Sequence, residues 1–329
     1  TKRDYRTFCS GIKIACQSKR CNMKIDVINH LDSPGLAGMI CRRINNRILV
    51  YGGSYFPNND PLKSSKVQSN KIRVYDEKFN LLYEQDGKIS PDKGITIEVE
   101  NEIYYILGSS IYRITIGESV EETCIGNFDF QLESGYGCYF DGHLFFGFQE
   151  SYLFNIETQE LFKKSDFPVS GRGQGLSVKY QNELYYLGGA NNEAYLDGYK
   201  YSLKKDKWEK LEFELPSSVL GASSIQINES GLLILGGFNE IVYNKAVIDL
   251  ATPGYREEYF SKGRDFFNWN RSMRILDLET GKVKIIANDE RFALCGAGFL
   301  KTDNGYYVVS GECSPGRRTS DILLLEEEM

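Results

Sequence analysis

The residues best suited to chemistry lie close together near the C-terminal end of the sequence. A run rich in β-branched and aromatic residues breaks at Gly311 into a loop, residues 311–319, that contains Glu312, Arg317 and Arg318. A carboxylate whose pKa is set by burial can act as a general acid or base, and a guanidinium presents a planar fork to an anionic ligand. We therefore predict that Glu312 is an acid/base catalyst and that Arg318 binds a substrate carboxylate, with Arg317 facing solvent. The alternative is a structural ion pair between Glu312 and Arg318.

Further candidates for substrate binding follow or flank glycines at equivalent places elsewhere in the chain. They are Arg172, Gln174, Asn239, Asn244, Gly53 and Ser54. Each has a structural alternative, because an arginine can be a surface residue and an asparagine can form a turn. Three aromatic residues are candidates for the walls of a pocket, namely Tyr243, Tyr55 and Phe267.

Composition predicts an all-β protein. The 329 residues include 22 Tyr, 19 Phe and 32 Gly but only 8 Pro, which favours strands and tight turns over helices. The net charge of −6 argues against a nucleic-acid surface or a basic membrane patch, so an anionic ligand would need a locally basic site. The sequence has no apolar run of transmembrane length and no secretory leader pattern, so we expect a soluble, cytoplasmic protein.

Cysteine and histidine usage predicts neither a metal site nor a cofactor. The eight cysteines form no C-x-x-C pair, and the two histidines, His30 and His143, are far apart in the sequence. Zinc and copper sites need closer sets of such ligands. Free thiols fit a reducing compartment.

A repeated unit organises the chain. Each copy has a glycine-marked segment, a polar turn, an apolar strand that ends in glycine, and further alternating strands. The six strand-ending glycines are Gly53, Gly108, Gly147, Gly189, Gly237 and Gly311. Their spacing fits propeller blades of about 40 to 50 residues, with insertions at residues 55–71 and 250–271. In the fourth copy, Trp208 closes the pattern as in a Kelch blade.

The two ends of the repeat array complete each other. The last copy lacks an outer strand, and residues 23–31 form a strand with no inner strands of its own. We predict one six-bladed Kelch-like β-propeller, residues 23–329, closed by this N-terminal outer strand, with residues 1–22 as an extension of uncertain role. The alternatives are an open β array or two sandwiches. In a propeller, the loops after the second strands share a rim with the segments that enter each blade, and we expect the ligand there.

Three of these segments resemble one known family. Residues 311–319 resemble the G-E-x-x-P-G-x-R-T loop of bacterial Kelch-propeller sialic acid mutarotases, also called N-acetylneuraminate epimerases. Residues 236–244 are similar to that family's G-G-x-N-x-x-x-x-N segment, and residues 171–174 to its R-x-Q strand entry. The resemblance covers all six blades from a shifted starting point, because the glutamate blade comes last here, so the chain looks like a cyclically permuted mutarotase.

The resemblance implies an isomerase that interconverts the α and β anomers of N-acetylneuraminate, a small anionic sugar. Better-known members are exported, so it also implies a periplasmic location as the alternative to the cytoplasm. The chemistry needs no metal or nucleotide, because opening a hemiketal ring requires only removal of the anomeric hydroxyl proton and delivery of a proton to the ring oxygen. The competing hypotheses are a non-catalytic Kelch module that binds a protein, a mutarotase for a different sugar, and a Kelch-type copper radical oxidase, for which two histidines give no ligand set.

Overall fold

Each repeat of the sequence folds into one antiparallel sheet, and six such sheets form the blades of a β-propeller. The computed structural model describes residues 23–32 and 34–327. The predicted extension, residues 1–22, lies outside the described residues. The predicted all-β fold and its six blades are therefore confirmed.

The strands follow the blades in chain order, except that the first strand belongs to the last blade. They are β1 (Met23–His30); β2 (Ile40–Ile44), β3 (Arg47–Tyr51), β6 (Lys71–Asp76) and β7 (Leu81–Asp86) in the first blade, with β4 (Ser54–Tyr55) and β5 (Val67–Gln68) as a separate pair between β3 and β6; β8 (Ile95–Val99), β9 (Glu102–Ile116) and β10 (Val120–Leu132) in the second; β11 (Tyr136–Phe140), β12 (His143–Gly147), β13 (Ser151–Asn155) and β14 (Leu161–Lys164) in the third; β15 (Leu176–Tyr180), β16 (Glu183–Leu187), β17 (Gly198–Ser202) and β18 (Lys207–Lys210) in the fourth; β19 (Ser223–Gln226), β20 (Gly231–Leu235), β21 (Ser272–Asp277) and β22 (Val283–Asn288) in the fifth; and β23 (Gly298–Thr302), β24 (Gly305–Ser314) and β25 (Arg317–Glu327) in the sixth.

The second blade differs from the others in its strand count. Its sheet has three strands in the order β10-β9-β8, because the segments predicted as second and third strands run together as the 15-residue β9. β9 pairs with β8 through its first residues and with β10 through the rest. One continuous strand thus takes the place of the two strands that the sequence predicted.

Burial explains why the chain forms these strands. First strands such as β11 and β15 alternate buried and half-buried residues, whereas second strands such as β16 and β20 are buried along almost their whole length. A strand covered on both faces by neighbouring blades needs apolar residues on both faces. The core therefore lies between the blades, as where Tyr136 packs with its ring centroid 4.9 Å from that of the predicted Kelch tryptophan, Trp208.

Tight turns connect the first and second strands of the blades. In the first blade Asn45 and Asn46 both have positive φ, 49° and 59°, and Gln181 and Asn182 repeat these values in the fourth blade. Two consecutive residues with positive φ are typical of the type I′ hairpin, whose twist matches that of the strands it joins. These polar pairs are the turns that the sequence predicted.

Both ends of the described chain form the last blade. β1 pairs antiparallel with β25, from Met23 opposite Glu327 to His30 opposite Asp321, which gives the sheet order β1-β25-β24-β23. The pairing covers the edge of β25 that would otherwise be exposed. The predicted closure is confirmed.

Two insertions interrupt the blades. The first contains β4, a 3-10 helix (Pro57–Asn59) and β5. The second contains three α-helices, α1 (Glu240–Asp249), α2 (Tyr255–Ser261) and α3 (Arg264–Phe267), and a further 3-10 helix (Glu290–Phe292) precedes the last blade. The sequence placed the start of the second insertion at residue 250, which was wrong, because α1 begins ten residues earlier at Glu240. None of the helices in the described ranges is long and apolar enough to cross a membrane.

Candidate active site

A cavity of about 310 Å³ lies where the blade-entry segments meet the loops that follow the second strands. The entry segments contribute Gly38, Gln174 and Gly296, and the loops contribute Ser54 and Glu312. The volume falls at the lower end of the range of about 300 to 1,000 Å³ for small-molecule sites. The cavity therefore lies at the rim where the repeat pattern predicted the ligand.

Glu312 lies at the cavity because β24 continues past Gly311 to Ser314 and β25 begins at Arg317, so the segment predicted as a loop, residues 311–319, is a β-hairpin with a tight turn at Pro315 and Gly316. Its backbone exchanges two hydrogen bonds with Cys295, of 2.8 and 2.9 Å, which fixes the strand against the entry segment of the same blade. Its Oε1 accepts the backbone N–H of Gly316 at 2.7 Å. The carboxylate is 21% exposed, so it is held in place yet remains open to a ligand.

Arg318 is buried beside Glu312 and is held by the first insertion. Its backbone N–H donates to Asn59 Oδ1 and its carbonyl accepts from Asn59 Nδ2, both at 2.8 Å, while its Nε donates to the carbonyl of Ser54 at 3.1 Å. Its Nη1 lies 3.6 Å from Oε1 of Glu312, and within the described part of the chain this buried nitrogen has no hydrogen-bond partner. An unpaired buried donor is costly, and an anion in the cavity would relieve that cost.

A second carboxylate, Asp92, lies at the same cavity, and the sequence analysis missed it. Its Oδ1 accepts from the Ser54 hydroxyl at 3.0 Å, and its Oδ2 accepts from Lys66 Nζ at 2.7 Å. A Cβ on Gly38 would come within 2.7 Å of Oδ1, so the glycine makes room for this carboxylate. The sequence signal that could have identified Asp92 is its position two residues before Gly94, which marks the entry to the second blade.

The charge of the cavity differs in sign from that of the whole chain. Three cations, Lys66, Lys93 and Arg318, line it together with two carboxylates, Asp92 and Glu312. The lining therefore carries a formal charge of three minus two, or +1, in a chain of net charge −6. Such a local excess of positive charge favours a small anion.

Aromatic residues of the two insertions form the apolar wall. Phe56 comes from the first insertion, and Tyr243, Tyr259 and Phe260 come from the helices of the second. Burial, and then the charge of Glu312, raise the pKa of Tyr259, so its phenol stays neutral at pH 7. Of the predicted wall residues, only Tyr243 lines the cavity.

The other two predicted wall residues pack elsewhere. Tyr55 packs against the core between the first and last blades, and Phe267 lies in a cluster with Tyr259 and Trp269. Sequence patterns identify aromatic residues in an insertion but do not show which face of the insertion meets the ligand.

Arg172 and Gln174 come from the same blade entry but have different surroundings. Gln174, exposed and with a φ of 58°, lines the cavity. Arg172 is buried away from the lining residues, with its guanidinium paired with Asp197 and 3.6 Å above the ring of Tyr195. Burial alone would raise the pKa of Asp197, but the hydrogen bonds and charges of Arg172 and Lys210 outweigh it and hold that pKa below its usual value.

Asn239, Asn244 and Gly53 support the cavity from behind its lining. Asn239 is the N-cap of α1, and its Oδ1 accepts from the Val242 N–H at 3.1 Å. Asn244 Oδ1 accepts from the Ala194 N–H at 2.7 Å, which fixes α1 to the fourth blade. Gly53 has a φ of 84° and packs closely against the entry segment of its blade. Of the predicted binding residues, Ser54 and Gln174 line the cavity and these three do not.

Arg317 is half-buried, contrary to the prediction that it faces solvent. Its Nη1 donates to the carbonyl of Phe260 at 2.9 Å, which joins the last blade to α2. Among the residues at 23–32 and 34–327, no group of three or more His, Cys, Asp or Glu side chains is arranged to hold a metal ion.

The fold and the cavity define a six-bladed β-propeller with a small-molecule site that combines carboxylate and cationic groups. Residues 131–328, more than half of the chain, match the family model described as N-acetylneuraminate epimerase, and the chain belongs to that family. This confirms the resemblance seen in the loop at residues 311–319.

Individual relatives carry the same name. The chain is 31% identical over 172 residues to the N-acetylneuraminate epimerase of Salmonella paratyphi B, which covers 47% of this chain and 44% of that protein. It is 24% identical over 210 residues to that of Yersinia enterocolitica, covering 57% and 54%. The chain thus matches about half the length of these curated relatives. A solved structure, "Structure of YjhT", superposes with a TM-score of 0.53 at 21% identity over 60% of this chain and 65% of that one, which supports the fold.

Proposed function

We propose that this protein is a sugar mutarotase that accelerates the interconversion of the α and β anomers of N-acetylneuraminate. The single observation that carries the proposal is the pairing of Glu312 with Arg318 in one cavity, where the buried Nη1 of Arg318 lacks a hydrogen-bond partner. Membership of the epimerase family supports an isomerase, and the net positive lining supports an anionic sugar.

Arg318 binds the substrate carboxylate in this mechanism. Its Nε already donates a hydrogen bond to the Ser54 carbonyl, so the guanidinium is fixed, and the unpartnered Nη1 is a donor available to the ligand. A hydrogen bond between two ionised groups is about twice as strong as a neutral one. Since the anomeric carbon of a sialic acid bears the carboxylate directly, this contact also places the anomeric hydroxyl near Glu312.

Glu312 acts as the general base and then as the general acid. It takes the proton of the anomeric hydroxyl as the ring C–O bond breaks and the ring oxygen accepts a proton from a second donor, which leaves an open-chain ketone with a free hydroxyl group. It returns the proton to the carbonyl oxygen when the ring closes on the opposite face. Positioned proton transfer contributes about 10²- to 10⁴-fold in rate, which suits a reaction that already proceeds slowly in water.

The test is anomer exchange of N-acetylneuraminate followed by saturation-transfer NMR. We expect the wild type to accelerate exchange above the uncatalysed rate, and Glu312→Gln to lose about 10²-fold or more of that acceleration. Arg318→Ala should lose acceleration and sugar binding together. Glu157→Gln, which changes an exposed glutamate on the third blade, is the matched control and should keep the wild-type rate.

Three results would contradict the proposal. A wild type that binds the sugar without accelerating exchange would favour a non-catalytic Kelch module. A fully active Glu312→Gln variant would show that another group is the base. Acceleration with a different 2-keto sugar acid but not with N-acetylneuraminate would assign the site to that sugar.

A further inference from the structure

The second carboxylate of the cavity holds a lysine in place. Asp92 is 5% exposed, and both of its oxygens are acceptors, one for the Ser54 hydroxyl and one for Lys66 Nζ at 2.7 Å. Gln68 Nε2 also approaches Oδ2 at 3.5 Å. The Asp92 backbone N–H donates to the buried Tyr105 hydroxyl at 3.0 Å, which fixes the residue itself. Asp92 is thus a hydrogen-bond acceptor that anchors the side chain of Lys66.

Hydrogen bonds link this pair to the predicted catalytic residues. Asp92 accepts from the Ser54 side chain, and the carbonyl of the same serine accepts from Arg318 Nε, whose guanidinium adjoins Glu312. Lys66 and Glu312 therefore face one cavity sized for one small molecule and are connected through Asp92, Ser54 and Arg318. A sugar bound by Arg318 in this cavity is therefore surrounded by lining residues that include both Lys66 and Glu312.

The cavity lining contains a second ammonium, Lys93, but that residue is exposed, and no carboxylate among the residues that the structure describes holds it in place as Asp92 holds Lys66. The remaining polar groups of the cavity are poor sources of a proton for the ring oxygen. A guanidinium does not give up its proton in proteins, which excludes Arg318. Asp92 acts as an acceptor, and burial together with Glu312 makes Tyr259 a weaker acid than a free phenol. Lys66 is an ammonium with three N–H donors, of which Asp92 takes one, and its side chain is 38% exposed.

We propose that Lys66 is the second catalytic residue, which delivers a proton to the ring oxygen, and that Asp92 is its positioning residue. This inference rests on the proposed mutarotase function. As Glu312 removes the proton of the anomeric hydroxyl, the electrons of that O–H bond form the C=O bond and the ring C–O bond breaks. The ring oxygen takes an N–H proton from Lys66 and becomes a hydroxyl, and ring closure returns that proton to the amine.

Proton transfer from an ammonium becomes favourable only as the C–O bond breaks. The ring oxygen is a weakly basic ether in the closed sugar and approaches an alkoxide in the transition state, so the donor acts where charge develops. The salt bridge to Asp92 keeps the Lys66 ammonium in place at the cavity. The blade-one insertion thus contributes the acid, and the last blade contributes the base.

The test compares variants that separate charge from proton donation. Lys66→Arg keeps a positive charge and hydrogen-bond donors but cannot release a proton, whereas Lys66→Met removes both. Lys63→Arg and Lys63→Met are matched controls, because Lys63 lies in the same insertion with its side chain 85% exposed. The dependence of the NMR exchange rate on sugar concentration gives kcat and KM for each protein.

We expect both Lys66 variants to lose about 10²- to 10⁴-fold in kcat, with the KM of Lys66→Arg close to that of the wild type and both Lys63 variants unchanged. Asp92→Asn should also lower kcat, and should have no additional effect in a Lys66→Met background, because the two residues act as one unit.

Each contrary result identifies which idea fails. Full kcat in Lys66→Arg, or a change in KM alone, overturns the role of Lys66 and leaves the mutarotase function intact. A wild type that does not accelerate anomer exchange overturns both. A large effect of Asp92→Asn in the Lys66→Met background would show that Asp92 acts independently of the lysine, which also overturns the proposal.

Discussion

At the scale of single residues, two buried arginines show that the same residue type serves opposite purposes. Arg172 and Arg318 are 3% and 6% exposed. Each has one buried nitrogen without a hydrogen-bond partner in the part of the chain that the structure describes, Nε of Arg172 and Nη1 of Arg318. They differ in place, because Arg172 is paired with Asp197 and covered by Tyr195 outside the cavity lining, whereas Arg318 lines the cavity. A buried charge is tolerated when paired, so we expect the first to stabilise the fold and the second to meet a ligand.

The pair of Arg172 and Asp197 should stabilise the fold. At pH 7 we expect Asp197→Asn to lower the free energy of unfolding by about 3 kcal/mol, because it leaves a buried guanidinium with no carboxylate. Asp166→Asn, at an aspartate whose side chain is 51% exposed, should change it little. Urea denaturation of both variants gives the comparison.

The pH dependence of this difference has a definite sign. The pKa of Asp197 is lowered in the folded state, so its contribution is complete above the unfolded value of about 3.9 and is lost as the pH falls through the folded value. The difference in the free energy of unfolding between the wild type and Asp197→Asn should therefore disappear in acid.

If Arg172→Lys raises KM for the sugar while the free energy of unfolding stays unchanged, Arg172 binds substrate as the sequence predicted.

At the scale of elements, the insertions rather than the blades complete the cavity. The six blades supply carboxylates and backbone, but α1, α2 and the first insertion supply the aromatic wall, Lys66, and Asn59, which holds the backbone of Arg318. α1 begins at a capping asparagine and is fixed to the fourth blade by Asn244. The position of that helix therefore determines the shape of the cavity.

Substitution of Asn239 should separate capping from ligand binding. Asn239→Ala should cost about 1 kcal/mol through loss of the N-cap and should raise KM, because Tyr243 and its neighbours on α1 lose their support. Asn239→Asp and Asn239→Ser, which also cap, should restore both stability and KM. Thermal denaturation and NMR exchange kinetics give the two readouts, and failure of both capping variants to restore KM would mean that the amide contacts the sugar directly.

At the scale of the whole molecule, the ring closes through the pairing of β1 with β25. Leu325 of β25 lies opposite Ile25 of β1 and is fully buried in the cluster between the fifth and sixth blades, with Met273 and Phe299. Each blade packs on two neighbours, so a defect at this junction weakens contacts on both sides of it. The closed ring is expected to unfold as a unit.

Leu325→Ala should lower the free energy of unfolding by about 2 to 5 kcal/mol, the usual cost of a large-to-small core substitution. Leu81→Ala, at a leucine that is 54% exposed on the outer strand β7, should change it by less than about 0.5 kcal/mol. In urea we expect one transition whose midpoint shifts while its slope stays constant. Two separated transitions in Leu325→Ala would show that the last blade opens independently of the ring.

The sequence by itself determined the six blades, their closure and the segment that brings Glu312 and Arg318 together, although that segment is a β-hairpin and not the predicted loop. Those features depend on local signals: period-2 alternation, turn residues such as Asn45 and Asn46, and charged residues that are close together in the sequence. Only the tertiary structure shows that Asp92 and Lys66 lie at the same cavity as Glu312. It also shows that Arg172 pairs with Asp197 and that Asn239 is the N-cap of a helix. These outcomes depend on how insertions fold over the ring and on which distant side chains neutralise one another. A linear pattern does not specify such contacts, because they arise between residues far apart in the chain.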